Sequence, residues 1–206
     1  MKLYYAPQSP FARKVRVAAI ELGLSDRITL EYAKVVPGLA NRTYADAVNP
    51  LRQVPALVAD DGKIIHGSAV ICDYLNALAG GNLLPPPTAS DRWRVLTNDA
   101  LAQGMCDAVI AVRYETGLRP PELRWPAWVD DQWDKIRSGL AWFNDHGDQL
   151  DGPLDISHIT LGCLLGYVEF RFGDHGWTDF PVVTSWYRSL CRRSSFELTR
   201  PADPSA

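Results

Sequence analysis

The spacing of apolar positions changes character along the chain: short runs of strand formers alternate with amphipathic stretches at first, and helical spacing then takes over almost completely. Residues 2–5 (Lys-Leu-Tyr-Tyr) read as a strand closed by Pro7. Ser9-Pro10 is a helix-start signal, because the serine oxygen can accept an N–H of the first turn and proline at the first helical position loses only a donor that has no partner there. Val15, Ala18, Ala19 and Leu22 then recur at helical spacing, and Gly23 supplies the stop. A second strand follows at 28–32. Strand, helix and strand at this spacing imply parallel pairing through a right-handed crossover. A weak helix at 41–48, an extended segment at 49–58, a turn at Asp60-Asp61-Gly62-Lys63 into Ile64-Ile65, and a helix beginning with Ser68 as its cap complete the order βαβαββα. That order predicts an α/β thioredoxin-like N-terminal domain.

Pro85-Pro86-Pro87 can continue neither a helix nor a central strand, so the predicted organisation is a domain over 1–80, a linker over 81–89 and a second domain over 90–206. Helical spacing at 90–116, 126–145, 155–172 and 181–192 makes the second domain an all-α helix bundle.

Composition narrows the partners. The chain has 206 residues and a net charge of −3, which gives no electrostatic footprint for nucleic acid or an anionic membrane and leaves small molecules or proteins as partners. No apolar run suits a signal peptide or a membrane span, so the expected location is cytoplasmic. The four cysteines, Cys72, Cys106, Cys163 and Cys191, lie far apart in apolar helical contexts, without a C-x-x-C pair or clustered histidines. Buried, inert thiols are expected, and neither a disulfide framework nor a metal site.

Four segments carry chemistry: Ser9-Pro10-Phe11-Ala12-Arg13-Lys14-Val15-Arg16, Asn49-Pro50-Leu51-Arg52-Gln53-Val54-Pro55, Gly67-Ser68-Ala69-Val70-Ile71, and Leu154-Asp155-Ile156-Ser157-His158-Ile159. Each is a short string. Their joint order and spacing around a proline-rich linker resemble the soluble glutathione transferase superfamily, particularly its bacterial serine-type members, over nearly the whole chain.

The resemblance implies glutathione as co-substrate and Ser9 as the catalytic residue. An unperturbed thiol is only a few per cent ionised at pH 7, and lowering its pKa by about two units takes about 2.7 kcal/mol of preferential stabilisation of the thiolate. A helix dipole supplies only ~0.3–1 kcal/mol, so the Ser9 hydroxyl must act together with neighbouring N–H groups. Ser9 cannot form the mixed disulfides of the cysteine-type relatives, which points to thiol addition rather than disulfide exchange. The resemblance further implies a cis Val54-Pro55 bond that leaves the Val54 backbone free to pair with the cysteinyl part of glutathione, and a γ-glutamyl carboxylate held at Ser68. Phe11, Lys34, Gln53, Pro55 and Gly67 complete the expected glutathione site. The family usually has an acid where this chain has Gly67; Asp99 is the suggested substitute for holding the γ-glutamyl amine.

Met105, Arg113 and Tyr114 are the expected electrophile pocket, with Trp125 and Trp128 as weaker candidates. In the fourth segment Asp155 can cap a helix, while His158 replaces the acid of the usual capping box and reads as a structural substitute. The implied function is a glutathione transferase that adds the sulfur to a hydrophobic electrophile, working as a homodimer through the Ser68 helix and the 90–116 helix. The alternatives are a glutathione-binding scaffold without turnover, and a glutathione-dependent isomerase or peroxidase on the same site.

Overall fold

The computed structural model describes residues 1–204. Four strands form one mixed sheet: β1 (Lys2–Tyr5), β2 (Thr29–Tyr32), β3 (Ala56–Val58) and β4 (Ile64–His66), in the order β2-β1-β3-β4. β1 and β2 run parallel, with Leu3 opposite Leu30, as expected for strands joined by the crossover helix α1 (Pro10–Glu21). β3 lies antiparallel to β1, with Leu3 opposite Leu57, and β4 returns antiparallel to β3. The short helix α2 (Arg42–Ala47) precedes β3, and α3 (Ser68–Ala79) follows β4. The thioredoxin-like order is present in full.

The remaining helices are α4 (Arg92–Gly117), α5 (Pro126–Asp145), α6 (Ile156–Phe172), α7 (Pro181–Leu190) and α8 (Ser194–Glu197). The last was not expected; a single turn carries too few periodic positions to be read from spacing. Trp133, Ile136, Leu140 and Phe143 of α5 meet Val109 and Val112 of α4 and Leu161, Leu164 and Leu165 of α6 in one core. α6 is buried along almost its whole length, so its sequence is apolar on every side rather than amphipathic.

A second core runs from the sheet into the bundle: Leu3, Val15, Leu57, Ile71 and Leu75 share it with Ile156, Ile159, Cys163 and Phe196. α1 is therefore sandwiched between α3 and α6. Two cations on its bundle side, Arg13 and Lys14, are almost completely buried. Lys14 Nζ lies 2.7 and 3.0 Å from the carboxylate oxygens of Asp99 on α4, and Thr160 on α6 donates to the same carboxylate. A buried charge without a partner costs several kcal/mol, so this triad ties α1, α4 and α6 together.

α6 begins on a complete capping box. Asp155 Oδ1 accepts the N–H groups of Ser157 and His158, and His158 Nδ1 accepts the N–H of Asp155 at 3.1 Å. Reciprocity survives the loss of an acid because an imidazole nitrogen can be the acceptor. His158 Nε2 donates to Gln149 O at 3.1 Å, so the ring is committed at both nitrogens to structure.

Candidate functional site

A cleft of about 920 Å³ opens between the sheet-bearing part and helices α4 and α6. Its first wall is mostly backbone. Ser9 has extended φ/ψ as the N-cap of α1, and its Oγ accepts the Ala12 N–H at 3.2 Å. That bond uses a lone pair, and the hydroxyl proton has no acceptor among the described residues. Pro10 carries no N–H, so Phe11 presents the first free N–H of the helix beside the Ser9 hydroxyl.

The Gln53-Val54-Pro55 stretch is fixed by a polar network. Asn49 is buried; its Oδ1 accepts the Leu51 N–H at 3.0 Å and its Nδ2 donates to Gln53 O at 2.9 Å. Tyr44 Oη donates to the same carbonyl at 2.8 Å, and burial pushes the Tyr44 phenol upward, which keeps it the donor. The Val54-Pro55 peptide is cis. No turn or loop hydrogen bond among the described residues engages the Val54 backbone, which faces the cleft as an unpaired edge.

The third element is the start of α3. Gly67 is its N-cap, at φ +83° and ψ 130°, and Ser68 is its first helical residue, not the cap that the sequence suggested. The left-handed φ turns the chain sharply out of β4, and glycine takes it without a Cβ penalty. A Cβ on Gly67 would meet no atom within 4 Å, so backbone conformation rather than crowding disfavours an acid there. The free N–H groups of the first turn of α3, with the buried Ser68 hydroxyl, make a site for a carboxylate.

The second wall is side chains. Asp107, Ile110, Arg113 and Tyr114 on α4, with Tyr167 and Arg171 on α6, face Ser9 and Phe11 across the cleft. Burial raises the carboxyl of Asp107 and the phenol of Tyr114, and pushes Tyr167 up to about 12. Arg171 spans the rim, bonding Asp203 at 2.6 Å while its buried Nε has no partner among the described residues. The loop from Val35 to Ala40 closes one end.

Of the residues read from the sequence, Ser9, Phe11, Gln53, Val54, Pro55, Gly67, Ser68, Arg113 and Tyr114 line this cleft together. Others do not. Met105 is 2% exposed and lies in the bundle core, packed on Gly139 of α5, because it falls on the opposite face of α4 from Tyr114. Asp99 is committed to Lys14 and Thr160 and does not reach the cleft. Lys34 is exposed beside the cleft loop, where its carbonyl accepts Asn41 Nδ2, but its side chain is not on the wall. Trp125 is exposed at the start of α5, and neither it nor Trp128 lines the cleft. Sequence reasoning missed Asp107 and Ile110, although they lie seven and four residues before Tyr114 on the same face of the helix; a phase argument along α4 would have found them. Tyr167 and Arg171 follow the same i,i+4 spacing on α6.

All four cysteines are free, and burial pushes the thiols of Cys72 and Cys163 up to about 12 and about 11. Among the described residues no group of three or more His, Cys, Asp or Glu side chains is placed to hold a metal ion, and no helix is long and apolar enough to cross a membrane.

Comparison with known proteins gives the following likenesses. Residues 3–83 match the family model for the glutathione S-transferase N-terminal domain, and residues 126–189 match that for the C-terminal domain. The GST-like protein YibF of Escherichia coli (strain K12) is 31% identical over 98% of both chains. A crystal structure of a glutathione transferase family member from Pseudomonas fluorescens Pf-5 with bound glutathione is 40% identical, covers 98% of each chain and superposes with a TM-score of 0.93. Another from the same source, with bound S-(propanoic acid)-glutathione, is 40% identical over 98% of this chain and 100% of that one, at a TM-score of 0.89.

Proposed function

Because the chain belongs to the glutathione S-transferase family, we propose that it binds glutathione along the backbone wall of the cleft, ionises its thiol at Ser9 and adds the sulfur to an electrophile held by α4 and α6. The observation that carries this reading is the convergence of an uncommitted Ser9 hydroxyl, the open Val54 edge and the α3 N-terminus on one cleft. The γ-glutamyl carboxylate sits at the N–H groups of Ser68 and Ala69, the cysteinyl backbone pairs with Val54, and Gln53 reaches the glycyl end. The sulfur then faces Ser9. The Ser9 O–H and the Phe11 N–H stabilise the thiolate together, since neither a single dipole nor a single hydrogen bond supplies the ~2.7 kcal/mol that a two-unit shift takes.

Ile110, Tyr114 and Leu118 offer an apolar surface to the electrophile, while Arg113 and the unpartnered Nε of Arg171, whose Nη2 is paired with Asp203, add donors. This mixture favours an electrophile with a polar or anionic group over a plain hydrocarbon. The adduct in the Pseudomonas fluorescens relative, S-(propanoic acid)-glutathione, carries such a group. A homodimer is part of the same reading, supported by Val70 on α3 and Trp93 on α4, which are exposed apolar residues on the two helices expected to pair. Four unpaired cysteines favour a reducing, cytoplasmic setting.

The test is to compare wild type and Ser9→Ala with saturating glutathione. Thiolate absorbance against pH and conjugation of a chlorodinitrobenzene should both move. Unchanged thiolate titration in the mutant removes Ser9 from the chemistry, and tight glutathione binding without turnover on a broad electrophile panel favours a binding-only role.

A further inference from the structure

We propose that a second cavity, on the far side of α1, is a binding site for a small carboxylic acid with an apolar body. The cavity, about 440 Å³, lies between α1, α6, α7 and the segment after α8, and shares no lining residue with the glutathione cleft. Its floor is Arg13, which is 3% exposed. Arg13 Nη2 donates to Phe196 O at 3.0 Å, Nε makes a long 3.4 Å contact with Thr199 Oγ1, and the guanidinium carbon lies 5.2 Å from the Phe196 ring centre. Nη1 is buried and has no partner among the described residues; nor does any carboxylate among them come within the 4.0 Å of an ion pair.

This contrasts with Lys14, the next residue. Both are cations buried at the same helix, yet Lys14 has Asp99 and Arg13 has only neutral oxygens. A buried charge that lacks a counter-ion is costly, and an incoming carboxylate removes that cost. Gly166 leaves room for the arrangement: a Cβ there would sit 2.0 Å from Arg13 Nη1 and 3.1 Å from Tyr187 Oη, so a larger residue on α6 would displace the guanidinium from its present place. A second buried donor, Trp177 Nε1, also lacks a partner among the described residues and lines the same cavity. Two orphan donors and no orphan acceptor select an anion.

The remaining lining supports the choice. Arg188 and Arg200 stand exposed at the mouth, and Glu169 is the one acid, its carboxylate accepting the Tyr187 O–H at 3.3 Å. Three arginines against one glutamate leave the cavity positive. Phe170, Phe196, Trp177 and Pro201 supply apolar walls, which suit the body of an organic acid rather than a bare, fully hydrated inorganic anion.

The experiment uses full-length protein and ligand-observed fluorine NMR with 4-fluorobenzoate as probe, with and without excess glutathione. The expected result is binding in both conditions, none by 4-fluorobenzyl alcohol, a weakening of about tenfold in Trp177→Phe, which keeps the ring and removes the donor, and a further loss in the Arg188→Glu/Arg200→Glu pair. Arg13→Gln should abolish it; should that variant not fold, Trp177→Phe and the exposed pair carry the test. Ser68→Ala, in the glutathione cleft, should leave it unchanged. Absence of binding, loss of binding with excess glutathione or in Ser68→Ala, retention in Trp177→Phe, or displacement by equimolar inorganic phosphate would each overturn the proposal. None of these outcomes depends on whether Ser9 is catalytic.

Discussion

The two walls of the cleft are built by different means. The first wall consists of backbone groups and the hydroxyls of Ser9 and Ser68, presented at a helix start, a cis peptide and a second helix start, and each is fixed within a few residues of itself. The second wall consists of side chains projecting from α4 and α6, and its shape depends on how those helices are rotated in the bundle. Backbone groups cannot be substituted away, so the first wall is insensitive to most changes of side chain. Side chains can be exchanged one at a time without disturbing the helix, so the second can change partners while the chemistry stays.

The largest test of this contrast is Ser9→Ala, where the backbone wall depends on a side chain. The Phe11 N–H remains in the mutant, and loss of even the whole two-unit shift lowers the thiolate fraction at pH 7 only about twentyfold, so the conjugation rate at neutral pH should fall about ten- to twentyfold. The same change removes the α1 cap and costs about 1 kcal/mol of stability, to be read by urea denaturation. A mutant that loses stability but not rate would make Ser9 a cap only.

Legibility in the sequence followed the same division. Ser9-Pro10 and Ser68 could be read as helix starts because caps are written in adjacent residue types, whereas the cis Val54-Pro55 turn and the roles of these residues came from the resemblance. Even there the sequence misassigned the α3 cap, since only the backbone shows that Gly67 takes φ +83° and so holds the cap position itself. On α4, helical spacing identified the helix but not its rotation. Met105, Val109 and Val112 face the core, while Asp107, Ile110, Tyr114 and Leu118 face the cleft. Both stripes contain apolar residues, so hydrophobicity alone could not tell core from pocket. The pairing of Lys14 with Asp99 was invisible for a different reason: the partners are on separate helices, and nothing local marks either as buried.

On the side-chain wall, Arg113→Ala and Tyr114→Phe should separate the two substrates. Removing Arg113 is expected to raise KM for an anionic electrophile about tenfold and leave KM for glutathione unchanged, whereas Tyr114→Phe should have a smaller effect. Steady-state kinetics with each substrate varied in turn checks this. A parallel rise in both values would mean that the walls are not independent.

Gly67→Glu tests the backbone wall from the other direction. The added side chain has open space, so the cost is that of a positive φ with ψ 130°, outside the left-handed helical region, in an L-residue, about 1–3 kcal/mol of stability. In return the carboxylate can pair with the γ-glutamyl amine. Calorimetry should show tighter binding of glutathione than in wild type, and no gain for an analogue lacking that amine. Equal gains for both would place the new acid elsewhere.

The smallest expected effect concerns Asp107, the one acid on the side-chain wall. Burial raises its carboxyl above the ordinary value of 3.8, so in the folded protein the protonated form is favoured relative to the unfolded chain. The stabilising contribution is therefore complete below the unfolded value and is lost as pH rises through the folded one, which leaves a modest penalty at neutral pH because the group is still largely exposed. Asp107→Asn should raise the melting temperature slightly at pH 7, with the gain shrinking as pH falls toward 4. A gain that is constant across that range would show that the benefit comes from altered packing rather than removal of a charge. A loss at pH 7 would show that the ionised carboxylate is held by Arg113 or Arg171 across the cleft, and the side-chain wall would then be a fixed electrostatic network rather than an exchangeable surface.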